Sequence, residues 1–140
     1  MYDLHKIRAT ISTGRGRGSG TDGTVYLGLA GREFCCDTSH DDFETGSTRE
    51  YVFTFEGNVR NWEKNTPENP PLDIADVDLF PAYIRFAQGG GSEWCLEEAA
   101  VRINDEVDPR YVTRIENNPI WLGNASGCIY YLRKPKPRRG

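Results

Sequence analysis

The stretch ATISTGRGRGSGTDGTVYLGLAG (Ala9–Gly31) decides how this 140-residue chain folds. Its centre, Gly18-Ser19-Gly20-Thr21-Asp22-Gly23, has the GxGxxG spacing of a dinucleotide-binding turn. That turn needs a strand before it and a helix after it, with the helix N-terminus aimed at a pyrophosphate. A strand does precede it: over His5–Thr13, Ile7, Ala9 and Ile11 alternate with polar neighbours. The segment after it, TVYLGLAG (Thr24–Gly31), reads as a second strand and has no helical period. A nucleotide fingerprint is therefore excluded. A P-loop is excluded as well, because no Gly-Lys-Ser/Thr is present. Arg15 and Arg17 interleave with glycine, but no aromatic platform for nucleic-acid bases stands beside them, so no nucleic acid is expected.

Working outward, the same strand chemistry recurs. REYVFTFEG (Arg49–Gly57) places Tyr51, Phe53 and Phe55 on one face. Ala82–Ala87, Trp94–Asn104, Tyr111–Glu116, Pro119–Gly123 and Cys128–Lys134 read as further strands. Between them lie turn-forming residues: GGGS (Gly89–Ser92), DEVDP (Asp105–Pro109), ENNP (Glu116–Pro119) and GNASG (Gly123–Gly127). The connector Asn58–Asp78 is hydrophilic and Pro-rich, and is too long for a hairpin. It reads as an insertion with a helical turn in its first part. Many short strands separated by turn signals predict an all-β fold, a β-sandwich.

Composition sets the outer bounds. One domain of this length buries a core without covalent staples. No apolar run approaches the ~20 residues that cross a bilayer, and MYDLHKIRA at the N-terminus lacks a secretory apolar core. A soluble protein is expected, with peripheral membrane association open to it. The net charge of −4 hides an asymmetry. The last eight residues, RKPKPRRG, carry five basic groups and no acid, leaving 12 basic and 21 acidic residues elsewhere, a net of −9. Residues 133–140 are read as a disordered, solvated tail after a domain at 1–132, with an electrostatic tether to phosphate as the functional alternative. Cys35, Cys36, Cys95 and Cys128 form no CxxC, which argues against zinc. They are expected to be reduced thiols, with a Cys95–Cys128 bridge as the open alternative.

Enzymatic signals are weak. No Ser or Cys nucleophile stands in a recognisable motif, and His5 and His40 are the only histidines. The chemistry-bearing feature is acidic. Asp22 closes the glycine loop, and Asp37, Asp41, Asp42 and Glu44 cluster in CDTSHDDFETG. Converging carboxylates and carbonyls suit Ca²⁺, which takes about 6–8 oxygen ligands. Uncompensated, such a cluster repels itself and is simply a solvated loop. EF-hand spacing is absent.

These residues resemble the opening strands of PLAT domains (polycystin, lipoxygenase, alpha-toxin). The family pattern is a strand, TG, a glycine loop, GTD, and a strand ending Leu-x-Gly. Here it is carried by Thr13-Gly14, Gly20-Thr21-Asp22 and Leu29-Ala30-Gly31. DDFETG (Asp41–Gly46), GSEWCLEEAAVRI and NPIWLG are similar to later family segments in the same order, so the resemblance covers roughly residues 5–132. It implies an antiparallel β-sandwich of two four-stranded sheets, C2-like, in a non-enzymatic attachment module. It further implies Ca²⁺-assisted binding of an anionic lipid or membrane surface through loops at one end. The alternative on the same scaffold is a protein-interaction module with structural Ca²⁺ or none. By position, Gly20 and Thr21 would offer backbone oxygens, and Asp22, Asp41, Asp42 and Glu44 carboxylates. Glu93 is a more distant ligand candidate. Arg15, Arg17 and Trp62 are the expected lipid or partner contacts, Trp62 by packing or partner contact before membrane insertion because Arg60, Glu63 and Lys64 flank it. A monomer is expected.

Overall fold

The computed structural model describes residues 3–87, 93–113, 119–123 and 126–135. Among the described residues eleven strands follow one another: β1 (Asp3–Leu4), β2 (Ile7–Thr13), β3 (Thr24–Leu29), β4 (Arg32–Cys35), β5 (Thr48–Phe53), β6 (Leu72–Asp73), β7 (Tyr83–Ala87), β8 (Trp94–Ile103), β9 (Tyr111–Val112), β10 (Ile120–Leu122) and β11 (Ile129–Tyr131). Every pairing among them is antiparallel. One sheet has the order β11-β7-β3-β4. The other runs β10-β8-β2-β5, with β9 also on β8. Strand β8 is long enough to carry both short partners on one edge, β10 opposite Trp94–Leu96 and β9 opposite Ala100–Val101. The sheets thus hold four and five strands, not four each as expected, the fifth arising because β9 and β10 share one edge of β8, and the fold is an all-β sandwich. A small ribbon, β1-β6, stands apart.

Alternation along the strands builds the core. Ile7, Ala9, Ile11 and Thr13 of β2 point inward, as do Trp94, Leu96, Ala99, Val101 and Ile103 of β8. The odd spacing in β8, between Leu96 and Ala99, matches a register shift at Ser12/Thr13 of β2. From the opposite sheet come Val25, Leu27, Leu29, Phe34, Ile84 and Phe86. Trp94 is fully buried; its ring meets Phe43 edge-on at 5.2 Å and Phe86 at 5.9 Å, and its indole N–H donates to Thr13 Oγ1 at 3.0 Å. Burying large aromatics with the polar edge satisfied is what makes such a centre stable.

Two local readings need correction. Phe55 does not share a face with Tyr51 and Phe53. Strand β5 ends at Phe53, and Thr54–Gly57 turns, with Glu56 at φ 49° and the Gly57 N–H bonded to Thr54 O. The turn swings Phe55 out to 65% exposure. Strand β4, not singled out from sequence, is set by a two-residue turn in which Ala30 and Gly31 have φ of 55° and 80°. Both central residues are left-handed, the geometry that lets a tight hairpin follow sheet twist. The insertion does hold a 3₁₀ turn in its first part, Trp62–Lys64, and a second at Ile74–Val77. It straps the sandwich edge between β4 and β5: Asn58 bonds Val52 and Glu50, Asn65 Oδ1 accepts from Cys35 N–H, and Arg32 donates to the Thr66 carbonyl. All four cysteines are free.

Several sequence readings fall outside the described residues: the GGGS turn, the last part of the Tyr111–Glu116 strand, most of ENNP, the centre of GNASG, and the tail from residue 136. Within the described part, Arg133 forms a bridge with Val112, so the tail's first residue is held against the body.

Candidate functional site

Register decides which loops meet. Thr13, Thr24, Thr48, Ala87 and Trp94 all lie at one end of the sandwich. The glycine loop (14–23) and the acidic loop (36–47) therefore leave the sheets side by side. They are clamped together by backbone: Thr21 N–H donates to Phe43 O at 3.0 Å, Gly46 N–H to Gly14 O at 2.9 Å, and Thr13 N–H to Ser47 O at 2.9 Å. Gly20 N–H adds a bond to Thr45 Oγ1 at 3.1 Å. Glycine is required at position 20 because a Cβ there would lie 2.8 Å from Thr45 N and 2.9 Å from Phe43 O. The two loops the sequence singled out are thus one surface.

The acidic loop is nailed down between its charges. Phe43, at φ 60°, drives its ring into the core against Trp94 and stacks on Tyr51 at 5.4 Å. Asp42 turns inward with it. Its carboxylate accepts from Thr38 N–H at 2.7 Å, Thr38 Oγ1 at 2.8 Å and Tyr51 O–H at 3.0 Å. Arg49 Nε lies 3.2 Å away, close enough for ionic attraction although its N–H is not aimed at the oxygen. The Asp42 side chain is only 8% exposed. Burial and the Asp42 charge push the Tyr51 hydroxyl far above its ordinary pKa, so it stays a donor. Asp42 organises the loop; its oxygens are already engaged.

Asp22, Asp41 and Glu44 remain exposed. So do Arg15 and Arg17, with Arg15 at 4.0 Å from Glu97. Glu93 stands at the same end, over Gly123, and accepts from Ser126 Oγ at 3.1 Å. Asp37 lies near Asp42, 3.9 Å from Arg60; burial raises its pKa and Arg60 opposes that rise. Trp62 is not in this group. It is half-buried in the insertion strap, packed on the core and edge-on to Phe55 at 4.8 Å. Among the described residues, no three His, Cys, Asp or Glu side chains gather closely enough to hold a metal ion. The oxygen donors are of the right kind for Ca²⁺ and sit on clamped loops, but the carboxylates do not converge.

A second constellation went unseen in the sequence. On the outer face of the β11-β7-β3-β4 sheet, Glu33 accepts two bonds from Arg85, at 2.7 and 2.9 Å, and one from Tyr83 O–H at 2.8 Å. The Arg85 guanidinium lies 4.4 Å over the Tyr26 ring. The bonds from Arg85 hold the Glu33 carboxyl below its usual range. Cross-strand pairing of β3, β4 and β7 is what brings these residues together, and only alternation of polar positions within three separate strands hinted at it.

No protein-family model matches the chain, and no curated protein matches it in sequence. Solved structures do. An alpha-toxin from Clostridium absonum superposes with a TM-score of 0.64 at 25% identity, covering 94% of this chain and 32% of the toxin. The Clostridium perfringens alpha-toxin of an avian strain gives 0.65 at 24% identity over the same shares, 94% and 32%. Coral 8R-lipoxygenase, described as activated by calcium via a C2-like domain, gives 0.57 at 18% identity, covering 92% of this chain and 17% of the enzyme. The chain therefore spans about a third of the toxins' length and under a fifth of the lipoxygenase's.

Proposed function

We propose that this PLAT-type fold is a non-enzymatic attachment module that docks on anionic lipid surfaces through its glycine-loop end. The observation that carries this is the backbone clamp between residues 14–23 and 41–47, which presents Arg15, Arg17, Asp22, Asp41 and Glu44 on one rigid end. Cationic side chains there attract phosphate headgroups. Ca²⁺ assistance follows from the exposed acids: an ion drawn between Asp22, Asp41 and Glu44, with carbonyl oxygens of Gly20 and Thr21, would complete its shell with headgroup oxygens. A site with so few gathered carboxylates binds Ca²⁺ weakly, on the order of 10⁻⁴–10⁻³ M. Asp42 acts as the positioning residue and Trp62 as packing for the strap. Calcium activation via a C2-like domain in the coral enzyme is consistent with this assignment.

Thermal melting in millimolar Ca²⁺ against chelator tests the ion, since a ligand of the folded state raises stability by mass action. The melting point is expected to rise with Ca²⁺, and the rise to vanish in Asp22→Ala/Asp41→Ala/Glu44→Ala. A melting point unmoved by Ca²⁺ removes the ion. Sedimentation with phosphatidylserine vesicles tests the lipid; absence of pelleting, together with recovery of one protein partner in lipid-free conditions, replaces lipid with protein as the ligand.

A further inference from the structure

The insertion 58–78 runs along the side of the sandwich where both sheets end. Strand β5 closes one sheet there and β4 the other. An edge strand turns the N–H and C=O of every second residue away from its sheet, and these groups pair readily with another chain. In β5 the outward residues are Thr48, Glu50 and Val52, because the Ser47 carbonyl already bonds Thr13 of β2 and direction alternates along the strand. In β4 they are Glu33 and Cys35, because Cys36 N–H bonds the Val25 carbonyl.

The insertion meets these groups with side chains instead of a further strand. Asn58 Oδ1 accepts from Val52 N–H at 2.8 Å, and its Nδ2 donates to Glu50 O at 2.7 Å. One amide thus takes a donor and an acceptor that a neighbouring strand would use. Asn65 Oδ1 accepts from Cys35 N–H at 2.9 Å, and its Nδ2 turns back onto the carbonyls of Arg60 and Asn61 at 3.2 and 3.3 Å. Glu68 Oε1 accepts from Phe55 N–H at 3.1 Å, just past the end of β5. The Gly57 backbone lies against Val52 O, where a Cβ would come within 2.2 Å. The strap is itself seated: Val59 is buried in the core, Trp62 packs on it, and Arg32 donates to the carbonyls of Thr66 and Pro70 at 2.6 and 3.1 Å. Among the described residues, no bond of this kind covers Thr48 or the Glu50 N–H, so a short stretch of the β5 edge stays open.

We infer that the insertion is an edge guard, which keeps β5 of one molecule from pairing with β5 of a second copy of this chain. A second copy is the occupant because the outward groups are complementary to themselves. Two antiparallel β5 strands about a two-fold axis, with Thr48 opposite Glu50, would exchange backbone bonds in both directions. Each such exchange needs Glu50 O as an acceptor, and Asn58 Nδ2 already holds that oxygen. The guard consists of one side chain laid over a formed strand, so a single substitution opens the edge without rebuilding the sheet. This gives the long connector a role that the glycine-loop surface does not.

Light scattering of the full chain on a sizing column tests it, at about 10⁻⁴ M, where open strand edges associate. The parent is expected to elute as a monomer. Asn58→Ala frees Glu50 O and Val52 N–H on each copy, so self-association should strengthen at least about tenfold. Asn58→Ser, too short to reach both groups, should do the same and serves where the alanine variant does not fold. In the associated state the Glu50 N–H should become protected from hydrogen exchange relative to the parent. Adding Thr48→Pro removes an outward N–H that pairing needs, at an edge position that tolerates proline, and should restore the monomer. Melting points report that each variant is folded. A dimeric parent, folded Asn58 variants that stay monomeric, association without protection at Glu50, or association that survives Thr48→Pro each overturns the proposal.

Discussion

Replacing Asp42 with alanine removes the residue on which the acidic loop hangs. Three donors converge on its carboxylate, from Thr38 N–H, Thr38 Oγ1 and Tyr51 O–H, and Arg49 adds a charge at 3.2 Å. Hydrogen bonds to a charged group contribute about 1.5–3 kcal/mol, and stripping one partner from a buried ion pair costs about 3–5 kcal/mol. These terms overlap. Arg49, with its side chain 31% exposed, recovers part of its solvation, which places the cost at the lower end, about 3 kcal/mol. For a domain of this size that lowers the melting point by about 10 °C. Chemical denaturation should show the same loss as a lower midpoint at unchanged slope. Tyr51→Phe should cost about 1 kcal/mol, and the double variant less than the two single losses combined, since they share one interaction. The loss should be nearly equal with and without Ca²⁺, because both Asp42 oxygens already accept hydrogen bonds from within the fold. A cost for Asp42→Ala under about 1 kcal/mol, or strict additivity with Tyr51→Phe, would refute the reasoning.

Two further outcomes check the Glu33 constellation. Gly28→Ala would put its Cβ 2.2 Å from Tyr83 Cε2, so a destabilisation of about 1–3 kcal/mol is expected, relieved in Gly28→Ala/Tyr83→Ala. Measured stabilities of the two variants decide it. The bonds from Arg85 depress the folded-state pKa of Glu33 below its ordinary 4.5. Its contribution is therefore complete above that value and lost as pH falls through the lower folded value. Glu33→Gln should flatten the stability profile below about pH 4.5, measured as denaturation midpoint against pH, while leaving its shape near neutrality unchanged.

Most strands were legible because side-chain direction alternates along a strand. Ile7, Ala9 and Ile11, or Tyr51 and Phe53, announce a buried face without reference to any other residue. The same local logic disposed of the GxGxxG loop, since TVYLGL cannot start a helix that points at a phosphate. Local logic misplaced Phe55, because the turn that expels it depends on Glu56 adopting a left-handed conformation in the assembled fold. It passed over β4, whose single buried aromatic, Phe34, gives too short a pattern to register.

The candidate site divides in the same way. Sequence alone identified an acidic loop and a glycine loop, and the PLAT resemblance placed them at one end of a sandwich. Residue type could not say which carboxylate faces the core. Asp41, Asp42 and Glu44 are chemically equivalent in a string, and only the insertion of Phe43 beneath Trp94 turns Asp42 inward and leaves the others in solvent. Glu33, Tyr83 and Arg85 are up to 52 residues apart and meet solely through strand register. Strand identity is written in near neighbours, because period and turn chemistry are local. The facing of a single charge, and the partners it finds, belong to the packed sheets, where distant segments compete for the same few ångströms.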